Sequence, residues 1–135
     1  AGRRPLLTEI QALVAPSAAP VPRRVTHGVE AGRVAMLLAV LQRRAGVRLH
    51  NKEVYVATVG GARLIDPASD LAAAIAVASA ACDQSFARPV VAIGEIGLSG
   101  ELRRVPGVER RLAEAARLGF QVALVPPGCG VDTAE

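Results

Sequence analysis

The sequence predicts a single α+β domain in which about three helices pack against a mixed β-sheet. Short runs that suit strands, of which Glu53 to Val59 is the clearest, alternate with longer segments whose apolar residues recur at helical spacing. Apolar residues make up 51% and charged residues 21% of the chain, which is the balance of a globular protein. Because 135 residues suffice to bury one core, we expect one domain over 1–135.

The first half of the chain predicts two strands around one helix. The helix begins at Glu30, because apolar residues recur at helical spacing from Val34 to Leu41, and Gly46 is suited to end it. The second strand is followed by a turn at Gly60 and Gly61. The predicted strands cover Leu6 to Val14 and Glu53 to Val59, an extended segment covers Ala62 to Ile65, and a proline-rich connection covers Ala15 to Pro22.

The second half predicts two helices and two strands. One helix starts at Asp66 and Pro67 and runs to about Ala81, with Asp66 or Ser69 as its N-cap. Its side chains are small on every side, and a helix without a polar face is normally packed in the centre of a domain. The predicted strands are Val90 to Ile93 and Gln121 to Val125. An amphipathic helix covers Gly107 to Leu118 and ends at Gly119. We expect its residues Val108, Leu112 and Ala115 to face inward.

Residues 93–120 read IGEIGLSGELRRVPGVERRLAEAARLGF and join a strand end, a glycine-punctuated turn and a charged helix. This stretch resembles the carboxy-terminal half of the Lon-type proteolytic domain, and more closely the Lon-like domain that ends the bacterial DNA-repair ATPases of the RadA (Sms) family. The opening residues, RRPLLTEIQALV, resemble the first strand of the same domain. The resemblance implies a fold like that of ribosomal protein S5 domain 2. It also implies that the chain is a fragment of a longer RadA-type protein, without its zinc finger and RecA-like ATPase core.

The resemblance also identifies the positions of the proteolytic dyad. Lon proteases use a serine nucleophile and a lysine base. The family pattern Pro-Ser-Ala-Gly-Ile-Ala falls on residues 67–72, and its Gly-Glu-Ile falls on residues 94–96. The nucleophile position is then Ala68 and the base position is Arg111, and neither residue can perform the role. Ser69 is one residue away and is turned by about 100° on a helix. We therefore predict no catalytic residue in this chain, with a carboxylate such as Asp70 as an internal partner of Arg111.

The remaining polar residues and glycines predict structural roles. Lys52 lies in the turn before a strand, so we expect a surface residue rather than a substitute base. His27 and His50 are also expected at the surface. The glycines at positions 94, 97 and 100 are three residues apart, which matches neither a phosphate-binding loop nor a dinucleotide fingerprint. We predict that they form turns.

Metal and cofactor chemistry is not predicted for this chain. Asp66 and Asp70 are four residues apart and could bind a cation, but carboxylates at a helix start favour capping. Cys82 and Cys129 do not make a disulfide framework or a metal site, and whether they interact stays open. The sequence contains no P-loop, so we expect no ATP hydrolysis by the chain itself.

The positive charge of the chain is carried almost wholly by arginine. The net charge is +4 and the pI is about 10.0, and Lys52 is the single lysine. Aromatic residues make up only 2%, so stacking of single-stranded bases is not expected. A local cluster of arginines around the last helix is a candidate contact for the phosphates of duplex DNA. Its members are Arg103, Arg104, Arg110, Arg111 and Arg117.

The resemblance implies properties of the whole protein as well. RadA-type proteins are hexameric, RecA-like motors, so the expected partners are further copies of the chain, duplex or branched DNA and a recombinase. ATP, magnesium and zinc are expected in the parent protein. No apolar run reaches the roughly 18 residues that a membrane span needs, so we expect a cytoplasmic protein without membrane contact. Two alternatives stay open: a pure oligomerisation scaffold, and, with less support, an active Ser-Lys peptidase.

Overall fold

A computed structural model describes residues 7–127 of the chain. The described part is an α+β arrangement with three α-helices, as predicted, and seven strands. The helices are α1 (Ala31–Arg44), α2 (Asp70–Ala81) and α3 (Val108–Arg117). The strands are β1 (Ile10–Pro16), β2 (Arg24–His27), β3 (Lys52–Thr58), β4 (Val90–Ala92), β5 (Glu95–Ile96), β6 (Leu102–Arg103) and β7 (Val122–Leu124).

The largest sheet is mixed and has β3 at its centre. Strand β1 pairs antiparallel with β3 from Ile10, opposite Thr58, to Pro16, opposite Lys52. Strand β2 pairs parallel with the other edge of β3. Alternate residues of a strand point to opposite faces, so Val54 and Val56 lie on one face, and both are buried. This face carries the main core.

Helices α1 and α2 cover that face and contact each other. Helix α1 buries Val34, Leu37 and Leu38, at the spacing that the sequence predicts, and also buries Val40. Leu41, at the end of the predicted series, is only partly buried. Helix α2 lies mainly against β1. It buries apolar side chains and, unusually, the carboxylate of Asp70 as well. Because most of its side chains are alanine, α2 can pack closely against a helix and a sheet at once. The prediction of a centrally packed helix is confirmed.

Helix α3 and the short strands form a second packing unit around the start of α2. Strands β4 and β7 pair in parallel, and β5 and β6 form an antiparallel hairpin. The buried residues of this unit come from the turn before α2, from β4 and the residue after it, and from α3; they are Ala68, Val91, Ile93, Val108 and Ala115. The inward face predicted for α3 is therefore confirmed.

The prediction of one sheet is wrong, because the described strands form three separate sheets. After β4, Gly94 does not continue the ladder but bonds to the start of α2. Its N–H donates to the carbonyl of Ala68 at 2.9 Å, and its carbonyl accepts from the N–H of Leu71 at 3.0 Å. A β-carbon on Gly94 would lie 3.1 Å from the Pro126 side chain, so a glycine permits this close approach.

Several strand limits also differ from the sequence prediction. Strand β1 begins later and runs through Pro16, and the start predicted at Leu6 lies outside the described residues. The segment from Ala62 to Ile65 makes only an isolated bridge, between Leu64 and Val29. Strand β2 and the β5–β6 hairpin were not predicted, because they are only two to four residues long and carry little periodicity.

Candidate functional site

The start of α2 is built around Asp66, which caps the turn Pro67–Ser69. The Asp66 carboxylate accepts a hydrogen bond from the N–H of Ala68 at 3.0 Å. Its main-chain carbonyl accepts from the N–H of Ser69 at 3.1 Å and from the Ser69 hydroxyl at 2.9 Å. The capping role predicted for Asp66 is confirmed, and Ser69 makes no side-chain cap. The Ser69 hydroxyl proton is thus held by a carbonyl rather than by a base.

The main-chain amides at this helix start all have partners within the chain. The N–H groups of Ala68 and Ser69 donate to Asp66, and that of Asp70 donates to the carbonyl of Pro67. The N–H of Leu71 donates to Gly94. Oxyanion stabilisation at a helix N-terminus requires amides that can donate to the substrate. These four are already committed to internal bonds.

The position expected for the nucleophile points into an apolar environment. Ala68 is 2% exposed and packs with Val91, Ile93 and Val108. Its methyl group completes the core beneath α3. The Ala68 methyl group therefore occupies the position at which the Lon-type proteases, which the sequence resembles, have the serine hydroxyl.

Arg111, at the position expected for the base, forms an ion pair with Asp66. The guanidinium Nη2 lies 2.6 Å from Asp66 Oδ2, and the Arg111 side chain is only 23% exposed. The pKa of Asp66 is lowered, chiefly by the hydrogen bond from Arg111, then by the bond from the Ala68 N–H. The prediction of Asp70 as the partner is wrong. Asp66 precedes the 3₁₀ turn Pro67–Ser69 in an extended conformation, with φ −85° and ψ 126°, so it does not share a helical face with Asp70.

Asp70 is paired instead with Arg33 of α1. Asp70 is 1% exposed, and its two oxygens accept from Arg33 Nε at 2.5 Å and Nη2 at 2.7 Å. Oδ2 also accepts the N–H of Ile96 in β5 at 3.0 Å. The bond to Asp70 is the main reason why the pKa of Arg33 is raised. The apolar spacing of α1 did not identify Arg33 as this partner, although an acidic residue in an otherwise almost wholly apolar helix is a signal that a cation must be near.

The ion pairs extend from Arg33 along the β5–β6 hairpin. Arg33 lies 3.5 Å from Glu95, which lies 3.9 Å from Arg103. Arg103 in turn pairs with Glu101 at 2.6 Å, so the pKa of Glu101 is lowered and that of Arg103 is raised. The hairpin turn contains Gly97 and Gly100, in agreement with the turn role predicted for these glycines.

The arginines proposed for DNA contact differ in how far their charge is balanced. Arg103 and Arg111 form the ion pairs just described, and Arg117 pairs with Glu114 on the same helix. Arg104 and Arg110 are exposed. Arg110 and Arg117 are seven residues apart and share a helix face, and Arg111 is turned by about 100° from Arg110. The structure therefore does not present the five arginines as one uniform positive surface.

The other residues considered from the sequence lie apart from this site. His27 and His50 are exposed, as predicted, and Lys52 is partly buried at the start of β3. Cys82 is exposed, and Cys129 lies outside the described residues. Within 7–127, no group of three or more His, Cys, Asp or Glu residues is arranged to hold a metal ion. Among the same residues, no helix is long and apolar enough to cross a membrane.

Comparison with known families decides the relationship of the chain. The family model described as "Subunit ChlI of Mg-chelatase" matches residues 37–128, which is more than half of the sequence. The chain belongs to this ChlI family. The matched region includes Ala68, Asp70 and Arg111, and therefore most of the site described above.

The ChlI-family chain also has close relatives among curated proteins, and several of them are named "DNA repair protein RadA". It is 54% identical to that of Mycolicibacterium smegmatis over 94% of the chain, and 49% identical to that of Mycobacterium tuberculosis over 93%. The protein of Bacillus subtilis is 45% identical over 93%. The resemblance to RadA predicted from the sequence is confirmed. The chain spans only 26% to 27% of the length of these relatives.

Replacing Asp70 with alanine should destabilise the domain strongly. The substitution leaves Arg33 without its main partner and the N–H of Ile96 without an acceptor. Breaking a buried pair costs about 3 kcal/mol or more, so the free energy of unfolding in urea should fall by about this amount. As a control, Glu114→Ala breaks an exposed pair and should cost less than about 1 kcal/mol. Equal losses for the two variants would contradict the structural role of Asp70.

The Asp66–Arg111 pair should make stability depend on pH in the acid range. Because the folded-state pKa of Asp66 is lowered, its contribution is present above the unfolded value, about 4, and is lost as the pH falls through the folded value. Asp66→Asn should therefore be less stable than the parent at neutral pH, and the difference should shrink below about pH 4. Because Asp66 is half exposed, the difference should be about 1 kcal/mol or less. Chemical unfolding at several pH values measures it, and a constant difference at all pH values would contradict the assignment.

Proposed function

We propose that the chain is a proteolytically inactive Lon-like domain of a RadA-type DNA repair and recombination protein, and that it acts in ring assembly and in binding of duplex or branched DNA. The observation that carries the proposal is the pair of residues at the expected dyad positions. Ala68 is buried in the core and Arg111 is held by Asp66. The names of the relatives support the assignment to DNA repair.

The loss of proteolysis follows from three chemical features. Ala68 has no nucleophilic atom, and an arginine with a pKa above about 12 cannot accept a proton near neutral pH. The amides from Ala68 to Leu71 are occupied, so an oxyanion would find no donor there. The hydroxyl of Ser69 is bonded to a carbonyl. Each feature alone would slow acyl transfer, and together they leave no route to it.

The contribution to DNA binding is supported by charge. The chain carries +4, and Arg103, Arg104, Arg110 and Arg117 are all exposed. Carboxylates partly neutralise Arg103 and Arg117, and Arg104 also has an interaction within the chain. Such a surface would bind phosphates without reading the base sequence. Duplex DNA is favoured over single strands because the exposed aromatic surface needed for base stacking is small: Phe86 is the only exposed large aromatic residue within 7–127.

The alternative of a pure assembly scaffold is favoured by the internal ion pairs. At least three of the five candidate arginines already have carboxylate partners, which lowers the charge available to DNA. Strand β1, moreover, pairs only with β3 within the described residues and carries Leu13, which is 60% exposed. An edge of this kind offers backbone groups and apolar surface to a neighbouring copy.

The proposal for the whole protein is broader. The fold would be that of ribosomal protein S5 domain 2, and the parent protein would be a cytoplasmic, hexameric, DNA-dependent ATPase. ATP, magnesium and zinc would bind in its ATPase core and zinc finger, outside this chain, and a recombinase would be a further partner. These parts rest on the resemblance to RadA.

The isolated chain should show no peptidase activity. Incubation with unfolded casein and with short fluorogenic peptides should give no turnover above the buffer rate, because the nucleophile, base and oxyanion donors are absent or occupied. Ser69→Ala serves as the matched control, since it removes the nearest hydroxyl. Cleavage by the parent that disappears in Ser69→Ala would overturn the proposed inactivity and support the peptidase alternative.

Replacing Arg103, Arg104 and Arg110 with glutamine should weaken binding to a labelled duplex. Each lost phosphate contact should flatten the dependence of log affinity on log salt by about one unit. Gel shifts between low and physiological salt measure this slope. The single variant Arg110→Gln tests an exposed arginine without disturbing the hairpin ion pairs. An unchanged affinity and slope in the triple variant would show that this cluster does not contact DNA, and would favour the scaffold.

Assembly can be measured independently of DNA. Light scattering of the chain at tens of micromolar should give oligomers, with a hexamer expected, because a closed ring buries the apolar edge of each copy. Leu13→Gln keeps the strand but removes the exposed apolar side chain, so it should shift the distribution towards monomer. A strictly monomeric parent at high concentration would place the ring contacts outside this chain.

A further inference from the structure

A second group of cations lies at the carboxyl end of α1, in the loop that follows it and at the starts of β2 and β3, and we call it the basic end. It consists of Arg23, Arg24, Arg43, Arg44, Arg48 and Lys52. Arg43 is ten residues from Arg33 along α1, so the basic end lies about 15 Å along the helix axis from the Asp70 pair. The sequence shows these residues only as scattered single cations and pairs, because they come from three separate segments.

Main-chain contacts bring the three segments together. Helix α1 ends at Arg44, and Gly46, with a φ of +70°, turns the chain back towards β3. The guanidinium of Arg24, from β2, donates to the carbonyl of Leu49 at 3.0 Å and also to that of Lys52. Arg23 is fixed beside the same strand, since its carbonyl accepts from the N–H of Val54 at 3.0 Å.

The charge of the basic end is not balanced by carboxylates. Within residues 7–127, none of its six cations forms an ion pair. The acceptors of Arg24 are neutral carbonyls, and the nearby Glu53 accepts the hydroxyl of Tyr55 at 2.8 Å. The carboxyl end of the α1 dipole offsets about half a unit of positive charge. The arginines of the cluster around α3, in contrast, pair with four carboxylates, which belong to Asp66, Glu95, Glu101 and Glu114.

Exposure and side-chain chemistry point to a phosphate ligand. Arg23, Arg43, Arg44 and Arg48 are all exposed, and their planar guanidinium groups suit the oxygens of a phosphate. Arg24 already donates to two carbonyls, so it holds the loop in place and adds to the local potential. The β5–β6 hairpin also reaches this end, because a β-carbon on Gly100 would lie 3.3 Å from the Arg44 side chain. The hairpin thus connects the basic end with Arg103.

We propose that the basic end is a separate phosphate-binding surface that contacts the backbone of duplex DNA. The inference rests on the proposed role in DNA binding. It attributes most of the electrostatic attraction for DNA phosphates to the basic end rather than to the arginines around α3. Since phosphate contacts carry no base information, the surface would position DNA without selecting its sequence.

The test compares two variants that each remove two exposed charges. Arg43→Gln with Arg48→Gln lies in the basic end, and Arg63→Gln with Arg88→Gln lies outside both clusters and serves as the matched control. In the intact 135-residue chain, the first variant should weaken binding of a labelled duplex and flatten the salt slope by about two units. The control should leave the slope unchanged. Circular dichroism and thermal unfolding check that the variants fold. If the double variant of the basic end does not fold, the single variant Arg48→Gln is used in its place.

The outcomes separate this inference from the proposed function. If the parent binds no duplex at low salt, both are overturned. If glutamine at positions 103, 104 and 110 weakens binding while the basic-end variant binds like the parent, the basic-end assignment fails and the proposed function stands. Equal losses in the basic-end variant and its control would indicate an effect of net charge alone and would overturn the assignment. Binding of the parent to vesicles containing phosphatidylserine, without binding to duplex, would replace DNA with a lipid surface.

Discussion

The ion pair between Asp70 and Arg33 is the constraint on which the arrangement of this domain depends. Asp70 is fully buried, and a buried carboxylate is tolerated only with a cation and further donors. Here the cation comes from α1 and the further donor is the N–H of Ile96 in β5. The alanine contacts of α2 are non-directional and would allow the helix to slide, whereas two bonds from Arg33 and one from Ile96 permit a single position.

The same end of α2 explains why the expected catalytic positions have become structural. Fixing α2 against α1 and β5 also fixes the turn before it, where Asp66 caps the chain and binds Arg111. Gly94 then bonds to both sides of the helix start. Groups that would polarise a substrate in a protease serve here to join α2, α3 and the strand β4.

The sequence predicted the parts of the fold that depend on local periodicity. The limits of α1, α2 and α3 follow from apolar spacing and end residues, and the residues at the dyad positions followed from family resemblance. The partition into three sheets could not be predicted, because it depends on main-chain bonds from Gly94 to a helix start. The partner of Arg111 was missed because Asp66 lies in extended backbone before the helix and Asp70 is held by Arg33. The sequence also could not predict which arginines are neutralised, because several ion pairs join residues that are distant in sequence.

The occupied amides at the start of α2 also bear on whether peptidase activity could be engineered at this site. Installing a serine at position 68 and a lysine at position 111 would supply two named groups, yet the new hydroxyl would face the hydrocarbon of Val91 and Ile93. Asp66 would remain available to hold the new lysine in its charged form. The backbone would still donate to Asp66, Pro67 and Gly94 rather than to a substrate. We therefore expect that these two substitutions would not produce peptidase activity, because the main chain itself would have to be rebuilt.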